Sequence, residues 1–148
     1  MRDTLAFSLG MTSPEPPDME KIKRYFEGVL LVPERDIFVG RIDDTISGSI
    51  QLVRPSASNK TSDFAVLVDN HFVAPWARGH GLAKALLVEA EKYSQKKGFT
   101  LLKLSVRATR DAAINLYESS GYKKWGTLEK YERMGNVIVP GYFYYKEL

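Results

Sequence analysis

Cysteine is absent from all 148 residues. That excludes disulfides, thiolate metal sites and a cysteine nucleophile, and it is compatible with a reducing cytoplasm. Histidine is nearly as scarce, with only His71 and His80, so a histidine-rich metal centre is excluded and no metal is expected. No apolar run approaches the ~18 residues that a membrane helix needs, and the first residues lack the apolar core of a signal peptide. These absences suggest a soluble, cytoplasmic protein with no membrane partner. Internal repeats and low-complexity segments are missing too.

What is present is an ordinary globular balance, 44% hydrophobic and 26% charged, in a chain whose length suits one domain over residues 1–148. The net charge of +3 conceals an asymmetry. Residues 1–75 carry 8 basic and 11 acidic side chains, whereas residues 76–148 carry 13 basic and 7 acidic. A basic half attracts nucleic acid, a membrane surface or a compact polyanion, and charge alone does not choose among them.

Periodicity supplies the elements. A short apolar patch, Leu5 to Leu9, is a candidate strand, and Pro14, Pro16 and Pro17 then forbid regular structure until Asp18, a plausible N-cap. Met19, Ile22, Phe26 and Leu30 recur at three or four residues and predict a helix that Pro33 ends. Residues 36–42 and 46–53 form a hairpin around Asp43-Asp44-Thr45, and residues 54–62 are a polar loop. A strand follows over residues 64–73, with Ala65, Leu67, Asp69, His71 and Val73 expected on one face. Its second half is unusual in having polar side chains on both faces.

Residues 82–97 read as a helix stopped by Gly98, residues 100–106 as a buried strand, and residues 111–119 as a short helix closed by Gly121. Residues 122–128 and 137–146 alternate as a final hairpin around Gly135-Asn136, in which Trp125 is expected in the core. The order implies an α/β domain with a mixed, mostly antiparallel sheet flanked by helices.

Between residues 73 and 82 a strand passes into a helix through Arg78-Gly79-His80-Gly81. The first amides of a helix lack intrahelical partners and sit at the positive end of its dipole, and glycines let an anion approach them. Arg78-Gly79-His80-Gly81-Leu82-Ala83 resembles the signature of the GNAT superfamily of acetyl-CoA-dependent N-acetyltransferases. A basic or glutamine residue there is followed by two positions, glycine, one position, and glycine or alanine. A second stretch, Asp111-Ala-Ala-Ile-Asn-Leu-Tyr117-Glu-Ser-Ser-Gly121-Tyr122, is similar to another motif of the same family. Both stand in the family's order, and together they carry the resemblance over roughly residues 46–126.

The resemblance implies the family's fold, here with a shortened N-terminus, and acetyl-CoA as acyl donor. It implies that amides of Gly79, Gly81 and their neighbours hold the pyrophosphate, with Arg78, His80, Leu82, Ala83 and Lys84 completing the loop. Backbone near Phe72 and Val73 would pair with the pantetheine arm, and Arg110, where many members have asparagine, would reach the phosphates or face solvent. Tyr117 would protonate the departing thiolate, since a phenol of pKa ~10 stays protonated at neutral pH.

The acceptor would be a small-molecule or peptide amine attacking directly in a ternary complex. Neutralising an alkylamine of pKa ~10.4 at pH 7 costs roughly 4.6 kcal/mol, so a base is expected. Leu67 stands where many members have glutamate, which leaves Asp69 or His71 as candidates, acting directly or through water. Tyr131 and the tyrosines of residues 142–145 are candidates for the acceptor side. Two other readings stay open: a CoA-binding domain without catalysis, suggested by Leu67, and a basic module for RNA or an acidic partner, although nucleic acid is the less favoured. The terminal strand could pair across a homodimer.

Overall fold

Past the run of prolines, the apolar spacing folds as helix α1 (Met19–Leu30), but its inward stripe is Ile22, Tyr25, Phe26 and Val29, while Met19 and Leu30 are exposed. The computed structural model describes residues 19–148. The expected strand at Leu5 to Leu9, the Asp18 cap and the shortened N-terminus lie outside the described residues. Strands β1 (Arg35–Ile42) and β2 (Thr45–Val53) form the first hairpin, turning at Asp43 and Asp44. Both aspartates adopt positive φ, at 48° and 63°, as a tight hairpin turn with right-handed strand twist demands.

Strand β3 (Ala65–Val73) leads through a single 3-10 turn, Pro75–Ala77, into helix α2 (Leu82–Lys96). Strand β4 (Leu101–Arg107) and helix α3 (Asp111–Ser119) follow, and β5 (Lys123–Met134) with β6 (Val137–Glu147) closes the sheet. The six strands lie in the order β1-β2-β3-β4-β6-β5, all antiparallel except the β3–β4 pair. That pair is parallel because α2 carries the chain back across the sheet before β4 begins. The mixed, mostly antiparallel sheet flanked by helices is therefore the architecture that the order of elements implied.

Helices α2 and α3 cover one face and α1 the other. The core under α2 and α3 joins Ile50, Leu52, Val66, Val68, Leu86, Leu87, Ala90, Leu102, Leu104, Val106, Tyr117 and Tyr144. Strand β5 runs on to Met134, further than its alternation suggested, because the charged stretch Glu129 to Arg133 offers no apolar period to read. The β5–β6 register slips between Leu128 and Glu132, and the Tyr131 ring packs directly over Gly141. Trp125 is 63% exposed, its ring against Phe143, and does not enter the core as expected, because it lies on the edge strand β5.

Two details position the functional residues. Pairing of β3 with β4 is registered only from Ala65↔Leu101 to Leu67↔Lys103, after which the strands part. Meanwhile Gln51 pairs with Asp69 and Ser49 with Phe72, so Ile50 stands opposite two residues, Asn70 and His71. This β-bulge, with Asn70 at φ 45°, inverts the alternation of β3 beyond it.

The start of α2 is seated by Leu82, whose side chain lies over Gly40 of β1 and Gly48 of β2. A methyl group at Gly48 would stand 2.7 Å from the Phe72 carbonyl oxygen, which is backbone and cannot swing aside. Gly48→Ala is expected to lower stability by about 1–3 kcal/mol, seen as a fall in the thermal midpoint. Gly28→Ala, at a helical position with open space around it, should hold or raise the midpoint in the same assay.

Candidate functional site

The glycine turn presents backbone rather than side chains. Gly79 and Gly81 take φ of 85° and 74°, values that favour glycine, and nothing lies within 4 Å of where a Cβ would sit on either. Gly81 caps α2 without any side-chain hydrogen bond to the helix amides. Those amides therefore face open space, which suits a phosphate group. His80 contributes to the turn itself, with Nδ1 3.1 Å from the Ala77 carbonyl oxygen.

A groove of about 310 Å³ runs from this turn to α3, lined by His71, Val73, Arg78, Gly79, Gly81, Leu82, Ala83, Lys84, Arg110 and Tyr117 among others. Most of the residues expected from sequence to meet a cofactor thus share one groove. Phe72 does not line it. Its side chain lies on the opposite face, in the apolar hollow between α1 and the first two strands, so only its backbone is available there.

A second cavity, of about 140 Å³, occupies the gap where β3 and β4 part. Leu67, Asp69, Asn70, Ser105, Arg107, Tyr131 and Glu132 line it, together with His71, Arg110 and Tyr117. The last three belong to both cavities, which makes them the junction. Arg110 begins α3 just past the end of β4, so the parting of the strands brings it beside Tyr117, seven residues along the helix.

The bulge corrects one expectation: Asp69 and His71 do not share a face. Asp69 turns toward the α1 side, where Oδ2 accepts from Arg35 Nη1 at 3.0 Å and Oδ1 accepts from the Asn70 amide at 3.0 Å. Arg35 also donates to Gln51 Oε1 at 2.9 Å, and the Tyr25 hydroxyl receives both Gln51 Nε2 and Asn70 Nδ2. Sequence reasoning missed this network, because its members come from α1, β1, β2 and β3 and only the fold assembles them. Ser105, Arg107 and Glu132 were missed for the same reason: Ser105 Oγ lies 2.6 Å from the Tyr131 hydroxyl, and Arg107 Nη1 lies 3.4 Å from Glu132 Oε2. Tyr131 itself was expected on this side, and it lines the cavity.

His71 turns the other way, toward α2 and α3. Nε2 lies 2.9 Å from the Ala83 carbonyl oxygen, which can only accept, so Nε2 carries the proton. Nδ1 then accepts, at 3.0 Å, from the Tyr117 hydroxyl. Burial lowers the His71 pKa to about 4, against the Ala83 hydrogen bond that raises it and with the Arg110 charge that lowers it. Burial likewise pushes Tyr117 up to about 12, although the Arg110 charge opposes the rise. The junction at neutral pH is thus a neutral imidazole bonded to a neutral phenol beside a cationic guanidinium.

Burying His71 neutral has a measurable sign. Its pKa is near 6.5 when unfolded and about 4 when folded, so between these values the unfolded chain binds the extra proton. The associated stability is present above pH 6.5 and is lost as the pH falls toward 4, by roughly 3 kcal/mol. Chemical denaturation across that window should show a shallower decline for His71→Asn than for the parent chain.

The family model for the acetyltransferase (GNAT) family matches residues 5–122. The chain is 50% identical over 95 residues, 64% of its length, to an uncharacterized N-acetyltransferase in the hisH-hisA intergenic region of Azospirillum brasilense. The aligned stretch spans 56% of that relative, so the chain covers only about half of it. Among solved structures, the ribosomal-protein-alanine N-acetyltransferase of Brucella melitensis superposes with a TM-score of 0.80 at 20% identity, covering 99% of this chain and 89% of that one. The spermidine N-acetyltransferase of Vibrio cholerae, in complex with CoA and spermine, gives 0.79 at 18% identity, covering 99% and 84%. At such identities the structures speak for the fold. The match to the family model extends over most of the sequence and takes in both the glycine turn and Tyr117, and the chain belongs to the acetyltransferase (GNAT) family.

Proposed function

We propose that this protein transfers an acetyl group from acetyl-CoA to a primary amine by direct attack in a ternary complex. The observation that carries the reading is that two cavities, one beside the glycine turn and one in the gap between β3 and β4, share His71, Arg110 and Tyr117. Two reactants entering by separate routes can meet there in one complex, which removes much of the entropic cost of bringing them together.

Acetyl-CoA supplies an activated thioester carbonyl. The amides of Gly79, Gly81 and their neighbours at the start of α2 hold its pyrophosphate, with Arg78 and Lys84 flanking them. Beyond Leu67, β3 has no registered partner on the β4 side, and the backbone of residues 71–73 offers its edge to an extended arm. Tyr117 points its hydroxyl into the junction, and its one proton, which His71 Nδ1 accepts in this structure, turns to the departing sulfur as the C–S bond breaks. With the phenol near 12 and a thiol near 8.5, complete transfer from Tyr117 runs uphill by roughly 5 kcal/mol. Tyr117 therefore stabilises the developing thiolate, and the proton shed by the amine completes the balance.

His71 orients Tyr117. Its two ring nitrogens are both engaged and burial holds it neutral, so it is not a ready base, whereas each Asp69 oxygen accepts one hydrogen bond and keeps a lone pair toward the cavity. Deprotonation of the acceptor then falls to that carboxylate or to water in the cavity between β3 and β4, and the rate should rise with pH as the amine loses its proton.

Tyr117→Phe is expected to lower kcat by about 10²-fold or more while leaving the dissociation constant for CoA unchanged, measured by release of free CoA and by calorimetry. Gly81→Glu should abolish CoA binding by placing a carboxylate at the helix N-terminus where the phosphate belongs. Normal CoA affinity in that variant would overturn the assignment of the turn.

A further inference from the structure

Arg110 is the charged member of the junction, and its guanidinium has no carboxylate partner among the described residues. The other ionic groups of the cavity between β3 and β4 are matched: Asp69 is bound by Arg35 and Glu132 lies beside Arg107. Among the described residues, Arg110 is thus the positive charge of the cavity that no carboxylate pairs with directly. Burying such a cation is costly, and Arg107 and Arg78 repel it, which Glu132 offsets only in part. A planar guanidinium in this position is suited to holding a carboxylate through two parallel hydrogen bonds.

We infer that Arg110 anchors the acceptor, and that the acceptor is an α-amine with a carboxylate on the same residue, either the α-carboxylate or one on its side chain. This rests on the transferase reading above and narrows it to a class of amine. The donor's phosphates have ligands of their own in the same groove, the amides of Gly79 and Gly81 with Arg78 and Lys84. Arg110, by contrast, sits with His71 and Tyr117, where the amine must arrive.

Two further features agree. A polyamine would bring a second ammonium into a cavity whose two carboxylates among the described residues already face arginines, and Arg110 would repel it. An α-amine at a peptide N-terminus is also the easier nucleophile: with a pKa of about 8, it loses its proton at pH 7 for about 1 unit of pKa instead of the 3.4 of an alkylamine. The nearby Arg110 charge favours the neutral amine further.

The test uses the whole chain with saturating acetyl-CoA and four acceptors: glutamate, glutamine, the dipeptide amide Glu-Ala-NH2 and spermidine. Spermidine should be the poorest by about tenfold or more in kcat/KM. Glutamine matching glutamate identifies the α-carboxylate as the bound group, whereas the dipeptide amide matching glutamate identifies the side-chain carboxylate. Arg110→Gln should raise KM for the preferred acceptor about 10- to 100-fold with CoA affinity unchanged, and Arg110→Lys should recover part of the loss.

Weakened CoA binding with an unaltered acceptor KM would overturn the inference and assign Arg110 to the donor. Spermidine turned over as well as glutamate would overturn it too. Calorimetric binding of glutamate to the CoA complex needs no turnover. Glutamate bound through Arg110 without acetyl transfer would refute the transferase reading while leaving the Arg110 site standing, and no binding at all would refute the site.

Discussion

The extra residue that β3 carries at Asn70 is the constraint on which the rest of the site depends. It leaves Ile50 facing two residues, inverts the side-chain alternation and turns His71 to the helix face while Asp69 faces α1. Asparagine tolerates the left-handed backbone conformation better than most residues, and its amide group is held by Tyr25 of α1. The Arg35, Gln51, Asp69 and Tyr25 network fastens the bulged strand from the same side. The parting of β3 and β4 is where a ligand can approach backbone without displacing a neighbouring strand.

The chemistry at the gap follows from burial more than from strong charges. A histidine and a tyrosine, each a common proton-transfer group, are both held neutral by desolvation and tied to each other. His71 is too weak a base, and too fully bonded, to take a proton from an ammonium. It is well made to hold a phenol in one orientation. The Ala83 carbonyl that fixes its tautomer belongs to the first turn of α2, so the element that starts at the glycine turn also sets the direction of the Tyr117 hydroxyl.

Several parts of this arrangement were legible in the chain itself. Local patterns announced the helices and hairpins, since capping, turn and periodicity signals act over a few residues. The glycine turn was readable because positive φ and amide exposure are properties of that segment alone. The polar residues on both faces late in β3 were the trace of the bulge, but a trace without the register on β2 cannot say which residue is extra. The charged run from Glu129 to Arg133 hid the length of β5, and Trp125 was misplaced because an aromatic on an edge strand looks the same as one in a core.

The sequence by itself determined the order of elements, the glycine turn at Gly79 and Gly81, and the presence of Tyr117 in a second motif on a short helix. Only the tertiary structure decided that His71 and not Asp69 meets Tyr117, that Arg35 and Arg107 lie against the two carboxylates of the cavity, and that Arg110 stands without a carboxylate partner among the described residues. The physical reason is that these depend on strand register and on pairings between residues 25 to 46 positions apart. No local periodicity carries either, and a one-residue slip moves every side chain to the other face.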